Sequence, residues 1–159
     1  MHISLIQAVL IAIFYYLSWS PWLTYVGFFT WNRPLLAGFV TGIILGDPVQ
    51  GAIIGAGINM IYLGFISAGG AQMGDPAFAG YVGTALAIAS KLDVSTAMAI
   101  AVPLGTVATV LWIGKMTVNS FFAHWADREV QKGNVDRVAF INIVPPQILL
   151  FAMSFIPAL

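Results

Sequence analysis

Between residues 3 and 31 the chain carries no Asp, Glu, Lys or Arg. A helix that meets water keeps a polar face, so an uncharged stretch of this length points to burial in a bilayer. The rest of the chain continues the pattern: 60% of residues are hydrophobic, 8% are charged and the mean hydropathy is +0.92. Soluble domains carry about a quarter charged residues, so this chain has too little charge to cover a water-facing surface. The sequence therefore reads as an all-α integral membrane protein with several transmembrane helices. Six Lys and Arg balance six Asp and Glu, a neutrality that comes from scarcity and gives no support to nucleic acid or an acidic partner. With no Cys, disulfides, thiolate chemistry and cysteine metal sites are excluded, while His2 and His124 lie too far apart to suggest a metal pair. No cofactor, metal site or catalytic group is expected. The apolar start lacks a basic leader, and no small-residue cleavage site follows it, so it reads as mature protein.

Trp19, Trp22, Tyr25 and Trp31 crowd the second half of the first segment, as interfacial aromatics do. Pro21 breaks or kinks it, which predicts one spanning helix, partly amphipathic, ending before Asn32-Arg33-Pro34. Two short apolar runs follow, 35–45 and 52–66, separated by Gly46-Asp47-Pro48. At ~1.5 Å per residue the first covers less than ~20 Å of a ~30 Å hydrocarbon core. The pair reads as a re-entrant or broken hairpin, with a kinked helix pair as the alternative. Residues 67–76 hold too much Gly and polarity to continue a lipid-facing helix. Residues 77–90 form another short run and 91–93 a polar turn. Residues 95–122 form a long run that Pro103 and Gly105 are expected to interrupt, with Lys115 near its far end. Half of the charges fall in 124–137, so residues 123–138 are expected to form a charged loop, cytoplasmic by the positive-inside rule. A last apolar run, 138–159, contains Pro145-Pro146.

Polar side chains at membrane depth are costly and mark function. Asn59 lies inside an apolar run, where its amide either joins helices or binds a solute. Gln72 and Asp75 sit in the Gly-rich stretch, as solute ligands or as parts of an exposed loop; Ser67 and Asp47 stand behind them. Asp47, between Gly46 and Pro48, reads first as a turn or cap residue. Gly51 and Gly55 have the small-xxx-small spacing of close helix packing. No phosphate-cradling loop, metal cluster or nucleophile-base set is present, which ranks an intramembrane enzyme last.

The run Arg33-Pro34-Leu35, then 42–47, 51–57 and Leu63-Gly64, resembles the IIC membrane component of the mannose/fructose/sorbose family of bacterial sugar phosphotransferase systems. Residues 68–72 and Ala126-Asp127 share the likeness, which covers nearly the whole chain in order. The resemblance implies a single permease domain over residues 1–159, in the bacterial inner membrane and of elevator type. It implies that Asn59, Gln72, Asp75 and Ser67 bind sugar. It also implies a homologous membrane partner, the IID component, soluble IIA and IIB phosphocarriers that perform the phosphoryl transfer, and a homo-oligomer of IIC–IID pairs, a trimer. Two departures stand out. Many relatives carry Glu at the position of Asn59, and relatives continue past the equivalent of Leu159, as if this were the N-terminal part of a longer protein. The alternative reading is a structural or pore-forming scaffold without a solute site.

Overall fold

A computed structural model describes residues 2–23, 26–65 and 72–159, with the backbone alone at Phe28. Among these residues every regular element is helical. Helix α1, Leu5–Trp19, opens on a capping box in which Ser4 accepts from the Gln7 N–H and the Gln7 side chain accepts from that of Ser4. The chain then breaks at Ser20 into a single tight turn, Pro21–Leu23, and a wide helical turn, Gly27–Trp31. The single span expected here is thus divided. Proline cannot donate to the ladder, and α1 alone reaches only ~22 Å at ~1.5 Å per residue.

Helices α2, Pro34–Leu45, and α3, Pro48–Tyr62, form an antiparallel hairpin. Gly46 ends α2 in the left-handed region at φ 85°, which glycine adopts without a Cβ penalty. The Asp47 carboxylate accepts from the Gln50 N–H at 3.1 Å, and Pro48 fills the first helical position, where its missing N–H costs nothing. Neither arm, ~18 and ~22 Å long, matches the ~30 Å hydrocarbon core. Four glycines, Gly38 and Gly42 against Gly51 and Gly55, bring the arms into backbone contact. A Cβ on Gly51 would lie 2.5 Å from the Gly38 carbonyl oxygen, and one on Gly38 2.7 Å from the Gly55 Cα.

Helix α4, Pro76–Ala89, carries a wide turn at Ala79–Gly83 and wedges between the hairpin and α5. Gly80 abuts Ala37 and Pro34 on α2, Gly83 abuts Ala101 on α5, and Tyr81, Ile54 and Ile58 are fully enclosed between them. Among the described residues, helices α5, Val94–Gln131, and α6, Val135–Ala158, are the two that are long and apolar enough to cross a membrane. The expected interruption at Pro103 and Gly105 does not occur, for α5 runs through both. Neighbouring segments contact it there: the Tyr62 hydroxyl donates to the Val102 carbonyl at 3.5 Å and the Asp75 N–H to that of Gly105 at 2.8 Å.

At ~57 Å, α5 overshoots a bilayer core, and its last turns carry the charged segment as helix rather than as irregular loop. The turn to α6 closes at Gly133, also left-handed. Glu129, 2% exposed, accepts from Lys132 at 2.7 Å and Asn134 at 2.8 Å, and Arg137 lies 3.7 Å away. The hydrogen bond from Lys132, then that from Asn134, holds its carboxyl below the ordinary Glu range. A depressed carboxyl contributes stability above its unfolded pKa of ~4.3 and loses it as pH falls through the lower folded value. Amide protection at residues 132–135, taken relative to the intrinsic exchange rate at each pH, should therefore fall below about pH 4. In Glu129→Gln it should be low already at neutral pH, and equal protection in both proteins would refute the clamp.

A cavity at the open end of the hairpin

The ends of α2 and α3 opposite the Gly46-Asp47 turn are Pro34 and Tyr62, and between them opens a cavity of about 930 Å³. Its walls come from the start of α2 and from five further segments. The wide turn before α2 gives Phe29, Thr30, Asn32 and Arg33; the end of α3 gives Asn59, Tyr62 and Leu63; the segment before α4 gives Gln72, Met73, Gly74 and Pro76; Trp19 and Trp112 complete it from α1 and α5. A volume of this kind suits a small solute.

Asn59 and Gln72, 13 positions apart in sequence, thus meet on one cavity. Both are half-buried, and neither amide makes a hydrogen bond to a described residue. Each offers two donors and an acceptor. Arg33 stands exposed at the same cavity without an ion pair among the described residues. Ser67 lies outside the described residues.

Asp75 is placed differently. Its neighbours Gly74 and Pro76 line the cavity, but its carboxylate turns into a small adjoining pocket with Tyr15, Trp19, Trp112, Lys115 and Ser154. There it is 4% exposed, accepts from the Tyr15 hydroxyl at 2.6 Å and caps α4 by accepting from the Phe78 N–H at 2.9 Å. Lys115, on α5, attracts it electrostatically, and the ammonium rests 4.2 Å from the ring centre of Trp112 and 5.0 Å from that of Trp19. The two indoles, 5.2 Å apart, form the partition between cavity and charged pocket. Tight packing makes this possible at Gly105, where a Cβ would overlap the Tyr62 hydroxyl and come within 2.9 Å of the Asp75 carbonyl oxygen. Asp47, by contrast, is an exposed cap at the far end of the hairpin and lines neither of these two pockets.

Sequence reasoning missed Tyr15, Lys115 and the two tryptophans as members of this region. For Lys115 a signal existed, because it is the sole charge between Asp93 and Asp127 and a lone ion at membrane depth asks for a partner. Nothing in the sequence marked Tyr15.

Comparison with known proteins agrees with this architecture. The sequence profile of the EII-Sor family, described as the sorbose-specific IIC component of the phosphotransferase system, matches residues 5–159. The sorbose-specific EIIC component of Lacticaseibacillus casei is 36% identical over 148 residues, covering 89% of this chain and 50% of that protein. The mannose-specific EIIC component of Escherichia coli K12 is 36% identical over 115 residues, covering 72% and 43%. The chain thus spans about half the length of the curated relatives it matches. A cryo-EM structure of the mannose transporter ManYZ with microcin E492 superposes at a TM-score of 0.85 and 34% identity, over 99% of this chain and 62% of that one.

Proposed function

We propose, on the premise that this chain belongs to the EII-Sor family of sorbose-specific IIC components of the phosphotransferase system, that the cavity at the open end of the hairpin binds the transported sugar. The observation that carries the proposal is the pair of amides without a described partner, Asn59 and Gln72, brought from two segments to one cavity. Sugar hydroxyls both donate and accept, and so do carboxamides. Asp75 belongs to the site as the group that fixes its floor, through the cap on α4 and the bond from Tyr15. Ser67 remains in the proposed ligand set as a polar residue of the Gly-rich stretch in the sequence.

In this reading the protein works in the bacterial inner membrane, as several spans, beside a homologous IID membrane component. Soluble IIA and IIB components supply the phosphoryl group, and IIC–IID pairs assemble as trimers. The closely packed hairpin, too short to span, moves as a rigid re-entrant unit of an elevator transporter, and the turn after α5 faces the cytoplasm. The wide apolar faces of α5 and α6, with Val107, Val110, Phe121 and Ile148 exposed, suit lipid or a membrane partner.

Asn59→Leu tests the reading. Hydroxyls left unpaired in a dry site cost roughly 1–3 kcal/mol, about tenfold or more in affinity, while the yield of assembled complex stays unchanged. Sugar affinity and yield measured on one preparation decide the matter. Normal affinity would remove Asn59 from the site, and lost assembly with normal affinity in the surviving complex would make it a helix-joining residue, as a scaffold role requires.

A further inference from the structure

We infer that Asn32 is a further sugar-binding residue, one that donates a hydrogen bond to a hydroxyl of the bound sugar; the inference rests on the cavity being the sugar site. Asn32 follows the wide turn Gly27–Trp31, and its backbone is fixed from both sides. Its N–H donates to the Gly27 carbonyl at 2.8 Å, and the preceding carbonyl, that of Trp31, accepts from the Tyr81 hydroxyl at 3.3 Å. Trp31 itself stacks on Phe14 with ring centres 5.0 Å apart. The side chain so placed lines the same cavity as Asn59 and Gln72, yet the residue is only 6% exposed.

Its amide nitrogen is cut off from water and has no hydrogen-bond partner among the described residues. A buried donor left unpaired is rare in folded proteins because nothing offsets its lost hydration. A purely structural asparagine at this position would use that donor to tie the turn to α2 or α4, and no such bond exists. The torsion that orients a carboxamide is broad and soft, so a small rotation carries the nitrogen into the cavity the residue already borders. A sugar hydroxyl arriving there supplies the missing acceptor. Binding then gains twice, once by the new bond and once by relieving the unpaired donor. Asn32 and Asn59, from different segments, would grip hydroxyls at different ring positions, which makes Asn32 a determinant of which sugar is held.

The test uses the natural protein in its membrane complex, with radiolabelled mannose, fructose, sorbose and N-acetylgalactosamine as probes. Asn32→Leu keeps the branching and removes the amide, and Asn32→Ala covers the case in which leucine is too large for the turn. Both variants should assemble in wild-type yield, since the amide nitrogen ties the turn to no described residue. Both should bind the best of the four probes at least tenfold more weakly. Equal affinity in the variants overturns the inference while leaving the sugar site intact. Loss of assembly in both variants overturns it as well, in favour of a structural role. If the wild-type complex binds none of the four, the sugar reading itself falls and this one falls with it.

Discussion

Gly51→Ala is expected to destabilise the protein by about 3 kcal/mol or more, a large effect for a single added methyl group. The new Cβ would meet the Gly38 carbonyl oxygen at 2.5 Å and the Gly42 Cα at 2.7 Å, and these are backbone atoms that no rotamer change can move aside. To admit it, α2 and α3 must separate along their length. The separation then breaks contact with α4, which packs Gly80 against Pro34 and Ala37 of the same hairpin. Small residues matter in membrane helices because close backbone approach, rather than expulsion of water, drives their association. Gly64→Ala is the control, since nothing lies within 4 Å of a Cβ there. Thermal melting of the purified complex should show a clear loss for Gly51→Ala and none for Gly64→Ala. Similar melting of the two would refute backbone contact in the hairpin.

The hairpin was readable because its signals are local. A left-handed glycine, a capping aspartate and a proline at the first helical position act within three residues, and the Gly51-xxx-Gly55 spacing adds the packing face. The uninterrupted α5 was not readable. Pro103 and Gly105 are helix breakers by propensity, and the groups that meet α5 there, a hydroxyl from Tyr62 and an N–H from Asp75, are remote in sequence. The charged segment misled in a similar way, because charge marks solvent contact and says nothing of backbone form: residues 124–131 continue α5. In the cavity, Asn59 and Gln72 were visible as polar residues out of place. That they share a wall, and that Asn32 joins them, depends on the packing of elements distant in sequence.

The tripeptide Gly-Asp-Pro occurs twice, at 46–48 and 74–76, and separates what the sequence can say from what it cannot. Both copies do the same local work: the aspartate caps a helix and the proline opens it. Their surroundings are opposite. Asp47 is exposed and makes only its cap, while Asp75 is enclosed among Tyr15, the two indoles and Lys115. No neighbouring residue announces this difference, because the partners of Asp75 lie 60 positions before it and 40 after it.

The two copies should therefore respond very differently to the same substitution. Asp47→Ala removes an exposed cap and should cost ~1 kcal/mol. Asp75→Ala removes a cap, leaves the buried Tyr15 hydroxyl without its acceptor and takes the neighbouring negative charge from the half-buried Lys115, for a total of roughly 2–4 kcal/mol. The last contribution can be isolated. Asp75→Asn keeps the shape and can still cap α4 through its amide oxygen, but an NH2 group replaces the oxygen that accepts from Tyr15, so its penalty combines that lost bond with the lost charge beside Lys115. Adding Lys115→Met, an apolar side chain of similar length, removes the half-buried ammonium that has lost its neighbouring anion. The double variant should thus melt above Asp75→Asn alone, by a coupling on the order of 1–3 kcal/mol. If the two substitutions simply add, Lys115 is held by the indoles of Trp19 and Trp112 alone, and Asp75 serves the cavity through Tyr15 and the cap without a charge partner.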